Sequence, residues 1–313
     1  MSKLDESSII KIFQKKLGNK NFDDVEIFKA NKPNVIAKTD TLVESTDIPP
    51  KMKLSDAARK SVVACVSDFV AKGIKPQYGI ISVNFPSNIS RSKVEDAASG
   101  FRKACKEFGI DILGGDTNAG REIVFNVCLF GSSEGIVSRR GSKNKDLIFA
   151  TGPFGYTAAG LGILLQKKSG NRDFIKKAVQ SVMHPKPRVN FGIRNKKYFS
   201  SSMDSSDGLS TTLNEMAKQS KKKFVITNSP HKKDLESHAK NQKKLDDLVF
   251  HGGEEYEFVF TVNPKYKQTI LKNAKSLRTP IIEIGHVTAG KGVVLQREDK
   301  EIILKDAGWK HFR

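Results

Sequence analysis

Acidic residues recur in this 313-residue chain beside Gly, Ser and Thr, at the ends of predicted secondary-structure elements. The first is Asp40, which closes the apolar, β-branched stretch that begins at Val35, a pattern that predicts a buried strand. Glu44 and Asp47 follow in a predicted loop. A carboxylate placed where a rigid element meets a loop can be held within ångströms of a ligand.

Three later stretches repeat this pattern. They are Ser67-Asp68, Gly114-Gly115-Asp116-Thr117-Asn118 and Met203-Asp204-Ser205-Ser206-Asp207-Gly208. Paired glycines let the backbone approach a ligand closely, because no Cβ is in the way. An acid directly after them fits a metal-bridged phosphate better than a bare one, and carboxylate oxygens are ligands that Mg²⁺ prefers. We therefore hypothesise that these carboxylates converge on magnesium ions that carry a nucleotide.

The later acidic residues also have ordinary structural explanations. Asp68 lies at the edge of the apolar stripe of a helix predicted over 56–72, where it is either a solvated border residue or a ligand. Ser206 and Asp207 precede a helix predicted over 209–218. They either cap that helix or face a phosphate at its N-terminus. Spacing alone leaves both choices open.

Two candidates lie outside the acidic stretches. Arg139 opens the basic turn Arg139-Arg140-Gly141-Ser142-Lys143, which is suited to phosphate contacts. Trp309 lies on a glycine-flanked tail, where it either plugs an edge of the core or offers a flat face to a ring. The Gly-rich turn at 152–155 lacks the Gly-x-Gly-x-x-Gly spacing, so we interpret it as an ordinary strand-to-helix turn.

The order of predicted elements describes an α/β chain whose organisation changes near residue 135, which predicts two domains, 1–135 and 136–313. Helices are predicted over 7–17, 56–72, 92–108 and 209–218. Strands are predicted from Val35 and over 78–85, 110–113, 122–130, 146–151, 281–284, 292–296 and 302–304. The Lys-rich stretch 219–245 is predicted to be the most surface-like part of the chain.

Composition restricts the class of protein. The 54 basic and 34 acidic residues give a net charge of +20, which suits nucleic acid, an anionic membrane surface or anionic substrates. The lysines are dispersed and no aromatic residues alternate with them, which favours a solvated surface that steers anionic substrates over a nucleic-acid groove. The chain lacks a long apolar run, a secretory signal pattern and a Cys-x-x-Cys motif, so we expect a cytoplasmic protein with no membrane span.

In order along the chain, the motifs resemble the thiamine-monophosphate kinase family in its archaeal form, within the aminoimidazole-ribonucleotide synthetase-like superfamily of ATP-using proteins. They are Asp23-Asp24, Thr39-Asp40-Thr41-Leu42-Val43-Glu44, Ser67-Asp68, Gly114-Gly115-Asp116-Thr117, Asp204-x-Ser206-Asp207-Gly208-Leu209 and Gly252-Gly253-Glu254-x-Tyr256-Glu257. The resemblance implies a two-domain α/β (α+β) fold of the aminoimidazole-ribonucleotide synthetase-like type. The N-terminal domain would carry metal- and ATP-binding carboxylates and pair with a second copy into a dimeric β-barrel, and the C-terminal domain would complete the ATP and substrate site.

The resemblance also implies Mg²⁺-assisted transfer of the γ-phosphate of ATP to thiamine monophosphate in a homodimer. Because the acceptor phosphate is already nucleophilic, we hypothesise direct in-line transfer with no phosphorylated enzyme. The implied catalytic residues are Asp40, Asp116 and Asp207. The implied magnesium ligands are Asp23, Lys38 (through its carbonyl), Thr39, Asp40, Asp68, Asp116, Asp204 and Asp207. The implied ATP contacts are Gly115, Asp116, Arg139 and Ser206, and the implied thiamine contacts are Glu254 and Trp309.

Three positions depart from the family pattern. Phe22 replaces a Gly before the first acidic pair, Glu255 replaces an Asp, and Asp47 stands where bacterial members have His. Asp47 is retained as a substrate candidate, although a carboxylate repels a phosphate unless a cation intervenes. The alternatives are another ATP-dependent synthetase of the superfamily, such as an aminoimidazole-ribonucleotide synthetase, and a basic nucleic-acid-binding protein that keeps the fold.

Overall fold

The computed structural model describes residues 11–12, 14–16, 34–166 and 171–309. The helix predicted over 7–17 is described only at 11–12 and 14–16, which are helical. Asp23 lies outside the described residues, so its predicted role as a metal ligand stays a prediction.

Strands and helices are interspersed along the chain. The strands are β1 (Val35–Val43), β2 (Tyr78–Pro86), β3 (Asp111–Gly120), β4 (Val124–Ser132), β5 (Leu147–Thr151), β6 (Phe199–Ser205), β7 (Lys223–Ile226), β8 (Glu257–Val262), β9 (Ile281–Thr288), β10 (Gly292–Arg297) and β11 (Lys300–Ile303). The helices are α1 (Glu44–Asp47), α2 (Leu54–Ala71), α3 (Arg91–Phe108), α4 (Tyr156–Gln166), α5 (Arg172–Met183), α6 (Val189–Asn195), α7 (Leu209–Ser220), α8 (Lys233–Ala239), α9 (Gln242–His251) and α10 (Lys267–Ser276).

The chain forms two compact units. The first comprises the described residues as far as Phe69 together with Ile74–Gly135, and the second comprises Val70–Gly73 and the chain from Ile136 onward. No helix within the described ranges is both long and apolar enough to cross a membrane.

The first unit is a four-stranded sheet in the order β1-β4-β2-β3. Strands β2 and β4 alternate buried and half-buried residues, as expected when one face of a sheet is covered. Helix α3 packs on the covered face, where the ring of Phe101 lies 5.1 Å from that of Phe125. Helix α2 reaches the same sheet, since Cys65 Sγ donates to Val127 O. Strands β1 and β3 are the two edges.

The second unit is a mixed seven-stranded sheet in the order β11-β10-β7-β9-β5-β8-β6. One apolar cluster of this unit includes the fully buried Leu213 of α7, Phe224 of β7 and Phe250 of α9. A second set of rings packs around Phe260 of β8, whose centroid lies 5.4 Å from that of Phe149 on β5. This sheet provides the rigid ends from which the loops of the second unit emerge.

Three local predictions were wrong. The predicted loop after Asp40 is the single helical turn α1. Strand β3 does not end at 113 but continues through Gly120, because it pairs in parallel with β2. The Lys-rich stretch 219–245 contains β7, a central strand between β10 and β9. Its apolar residues 224–226 are buried although lysines flank them.

Two glycines of α4 give a matched test of helix packing. A Cβ on Gly160 would lie 2.2 Å from Ala178 O and 2.8 Å from Val182 Cγ2 of α5, whereas a Cβ on Gly162 meets nothing within 4 Å. We expect Gly160→Ala to destabilise the fold by about 1–3 kcal/mol through overpacking, and Gly162→Ala to stabilise it by up to about 1 kcal/mol. Urea unfolding of both variants measures this, and equal effects would contradict the packing of α4 on α5.

Candidate active site

In the first unit, β1 and α2 bring two predicted metal ligands together. The Lys38 ammonium lies 2.8 Å from Asp68 Oδ2 and 3.5 Å from Asp40 Oδ2. Lys38 and Asp40 are two residues apart on β1, so their side chains project from the same face of the strand. Burial, reinforced by the Asp68 carboxylate and opposed by Lys38, raises the pKa of Asp40. The two carboxylates therefore share one cation.

The chemistry of this pair fits a divalent metal. Hard carboxylate oxygens are the ligands that Mg²⁺ takes from proteins, and the Lys38 ammonium already occupies the position of a cation between Asp40 and Asp68. Across the described ranges, no group of three or more His, Cys, Asp or Glu side chains forms a ready-made metal site. A divalent metal held by these two carboxylates would therefore need further oxygen ligands, such as those of phosphates.

The other acidic residues near β1 are bonded to the backbone. Asp47 Oδ2 accepts from Val43 N at 2.7 Å, and Glu44 Oε2 accepts from Ile123 N at 2.9 Å. Both carboxylates fix the turn that follows Asp40. Thr39 lies on the face of β1 opposite to Asp40 and pairs in register with Cys128.

Asp116 lies on the other edge of this sheet. Its register partner on β2 is Ser82, whereas Asp40 pairs with Val127, which in turn pairs with Ile81. Consecutive strand residues point to opposite faces, so Asp116 and Asp40 lie on opposite faces as well as on opposite edges. Three strand spacings of roughly 4.8 Å place their strands about 14 Å apart. The structure brings Asp40 and Asp68 together in one chain but not Asp116.

The position directly before Asp116 requires a glycine. A Cβ on Gly115 would lie 1.9 Å from Ile81 O, so β3 approaches β2 as closely as it does only because this residue has no side chain. Gly115 therefore has a packing role within the sheet, in addition to its predicted role of letting the backbone approach a ligand closely.

In the second unit, the predicted site lies at the turn between β6 and α7. Asp204 is buried within β6, opposite Phe258 of β8, and Asp207 is exposed. The N-cap of α7 is Gly208, with φ of 115°. Neither Ser206 nor Asp207 therefore occupies the N-cap position.

Two further predicted segments bind the backbone of this turn. Glu254 N donates to Ser206 O at 2.6 Å, and Trp309 N donates to Asp207 O at 2.8 Å. Glycines permit both approaches, because a Cβ on Gly308 would lie 2.2 Å from Asp207 O and one on Gly253 would lie 2.7 Å from Ser206 O. The structure thus brings residues 204–208, 252–256 and 306–309 to one place.

The Gly-Gly-Glu-Glu-Tyr loop has an unusual backbone. Glu254 and Tyr256 have φ of 62° and 51°, in the left-handed region that costs a non-glycine residue about 1 kcal/mol or more. Tyr256 N donates to Ser205 O at 3.2 Å, which helps to hold this conformation. Nothing in the sequence indicates this left-handed conformation, since neither Glu nor Tyr favours positive φ.

Glu255 points inward and was not predicted as a site residue. Its Oε1 accepts from Gly155 N at 2.6 Å, and Thr157 Oγ1 donates to Gly253 O at 2.9 Å. Burial raises the pKa of Glu255 to about 7. The start of α4 therefore anchors the loop that presents Glu254.

Glu257, at the start of β8, also anchors this loop. It forms a half-buried ion pair with Arg188, whose Nε lies 2.9 Å from Oε2. Arg188 is the N-cap residue of α6, so the pair joins the start of α6 to β8. The motif spacing in the sequence could have identified Glu257 as a candidate, but it could not have identified Arg188, which lies far from Glu257 along the chain.

Arg139 and Trp309 complete the predicted set. Arg139 is half-buried in the irregular stretch before β5. The Trp309 side chain is 56% exposed, so it does not plug the core and its indole is accessible to a ring. Of the two explanations, the structure favours the second.

Comparisons with known proteins follow this division of the chain. Residues 22–133 match the N-terminal domain, and residues 146–298 the C-terminal domain, of the AIR synthase related proteins. The thiamine-monophosphate kinase of Nitrosopumilus maritimus is 80% identical over the full length of both chains. The chain belongs to the thiamine-monophosphate kinase family. The kinase of Pyrococcus horikoshii is 32% identical, covering 100% of this chain and 98% of that protein.

A solved structure of the family also matches. The structure named AaThiL complexed with AMPPCP and TMP is 28% identical, with a TM-score of 0.77, and the match covers 98% of this chain and 97% of that chain. The expected two-domain, aminoimidazole-ribonucleotide synthetase-like α/β fold is therefore confirmed.

Glu255→Gln should change how stability depends on pH. The carboxyl of Glu255 has an ordinary pKa of 4.5 and a pKa of about 7 in the folded protein. Between pH 4.5 and 7 it is therefore mostly protonated in the native state and mostly ionised in the unfolded state. The stability that Glu255 contributes should then fall as the pH rises from 4.5 to 7, by up to roughly 3 kcal/mol. Urea unfolding of wild type and variant at pH 5, 6 and 7 measures the difference. A difference that stays constant with pH would contradict this.

Proposed function

We propose that this protein transfers the γ-phosphate of ATP to the phosphate of thiamine monophosphate, giving thiamine diphosphate and ADP. The observation that carries the proposal is the full-length, 80% identity to a thiamine-monophosphate kinase. The carboxylate pair of the first unit and the three segments joined at the β6–α7 turn agree with it.

The chain's residues have distinct parts in this proposal. In the first unit, Asp40 and Asp68 would hold Mg²⁺, with Thr39, Asp23 and the Lys38 carbonyl as further proposed ligands. In the second unit, the proposed Mg²⁺ ligands are Asp204 and Asp207. Bound Mg²⁺ supplies neutralisation of the charge that develops between two phosphates. Ser206, Gly115 and Arg139 orient the phosphates of ATP. An oxygen of the acceptor phosphate attacks the γ-phosphorus in line while ADP leaves, so no general base and no phosphorylated enzyme are required.

The thiamine portion would be bound by residues of the second unit. Its thiazolium ring is cationic, and the exposed indole of Trp309 offers the π-face that attracts a cation. Glu254 supplies a negative charge from the same group of segments. We assign Asp47 to the turn behind Asp40 instead of to the substrate, because its carboxylate accepts from Val43 N.

We further propose a homodimer in which the partner's Asp116 completes the Asp40–Asp68 pair. Asp40 and Asp116 lie on opposite edges of one sheet, and edge strands offer unpaired backbone groups to a second copy. The uncovered face of β2 and β4 is only half-buried, which also suits a second copy closing a barrel.

Three free cysteines support a location in the reducing cytoplasm.

The direct test of function is chemical. Protein incubated with ATP, Mg²⁺ and thiamine monophosphate should form thiamine diphosphate, measured by chromatography, and should form none without Mg²⁺. Aminoimidazole-pathway substrates should not be turned over. Product from those substrates, with no thiamine diphosphate, would identify a different synthetase of the superfamily.

Mixed dimers test the arrangement across two copies. Asp40→Asn and Asp116→Asn should each lower kcat by about 100-fold or more, equivalent to roughly 3 kcal/mol. Refolding a 1:1 mixture of the two should restore about one quarter of wild-type activity, because half of the dimers then contain one intact site.

The matched control for this test is a mixture of Asp40→Asn with Asp68→Asn. It should recover nothing, since both residues belong to one chain's part of the site. No recovery in either mixture would contradict completion by the partner.

Trp309→Ala should raise the KM for thiamine monophosphate about tenfold, with little change in the KM for ATP, because a cation–π contact is worth about 1–2 kcal/mol. Trp309→Phe keeps an aromatic face, so its KM for thiamine monophosphate should lie between those of the wild type and Trp309→Ala. Steady-state kinetics checks both variants, and an unchanged KM for thiamine monophosphate in Trp309→Ala would remove this residue from the substrate site.

A further inference from the structure

Lys38 contributes more to the first unit than the carbonyl that the motif predicts. Its ammonium lies 2.8 Å from Asp68 Oδ2 on α2 and 3.5 Å from Asp40 Oδ2 on β1. The side chains are 37% exposed for Lys38 and 17% for Asp68, so this ion pair is partly shielded from water, unlike an exposed surface pair. One ammonium is thus placed between two carboxylates that come from different elements.

We propose that the Lys38 side chain is a resident cation of the Asp40–Asp68 pair, which takes the place of one divalent ion. The inference rests on the proposed metal site and specifies its charge. With Lys38 present, the pair carries a net charge of −1, and the space between its oxygens holds an ammonium. Without Lys38, two facing carboxylates carry −2, and that space is open to an ion with two positive charges.

The two kinds of cation act differently on the carboxylates. An ammonium donates hydrogen bonds and carries one charge, and the lysine side chain tethers it to β1. A divalent ion coordinates the oxygens directly and exchanges with solvent. The lysine therefore keeps Asp40 and Asp68 paired in the protein without nucleotide. Additional divalent ions then arrive with the phosphates instead of binding beforehand.

The test measures metal binding directly, with no nucleotide and no turnover. Full-length wild type, Lys38→Met and Lys38→Arg are titrated with Mn²⁺, and bound metal is counted by electron paramagnetic resonance and by calorimetry. We expect Lys38→Met to bind about one Mn²⁺ more per chain than wild type, or to bind at least tenfold more tightly. Lys38→Arg keeps the charge and should behave as wild type.

Lys223→Met is the matched control, because Lys223 also pairs with a carboxylate, 2.6 Å from Glu301 Oε2, but belongs to the second unit. It should leave Mn²⁺ binding unchanged. If Lys38→Met fails to fold, Lys38→Gln replaces it, with the same expected gain.

Equal Mn²⁺ binding by wild type and the uncharged variants, or weaker binding by the variants, would overturn the inference. If thiamine diphosphate synthesis in wild type is nevertheless Mg²⁺-dependent, the proposed function stands and only this inference fails. If no variant binds Mn²⁺ and wild type makes no thiamine diphosphate, both fail.

Discussion

Two carboxylates that lie close together need a cation, and in the first unit the Lys38 ammonium lies beside both Asp40 and Asp68. Two like charges 4 Å apart repel by about 4 kcal/mol at the effective dielectric constant of a protein surface. Strand β1 supplies Asp40, helix α2 supplies Asp68, and both approach the Lys38 ammonium. Stability alone gives no reason to place two acids together, whereas phosphoryl transfer between two anions does.

In the second unit, backbone hydrogen bonds hold the candidate site residues together. The turn between β6 and α7 accepts hydrogen bonds from Glu254 N and Trp309 N, so its geometry does not depend on any side chain that would contact a ligand. Glycines at 253 and 308 allow these approaches, and Glu255 and Glu257 anchor the loop from behind. Such support from a second layer of contacts keeps functional side chains in place before a ligand arrives.

Local sequence patterns predicted most of the elements, because apolar periodicity is a local property. They also singled out candidate residues in both groups that the structure brings together. Sheet order was not predictable in this way. Nothing in the residues around Asp116 indicates that β3 continues through Gly114-Gly115-Asp116, since Gly and Asp are depleted in strands; the parallel neighbour β2 decides it. Likewise, lysines around 219–245 concealed the central strand β7. The roles of Lys38 and Glu255 depend on partners from other elements, Asp68 at 2.8 Å and Gly155 at 2.6 Å.

The central claim is that Asp40 and Asp68 form half of a cation site that a second copy completes. Anomalous diffraction from crystals of the full chain grown with Mn²⁺ and a non-hydrolysable ATP analogue tests it most directly. The account predicts a manganese peak bound by Asp40 and Asp68 of one protomer and close to the partner's Asp116. A peak that joins Asp40 and Asp116 of the same protomer, or no peak at Asp40 and Asp68, would contradict it.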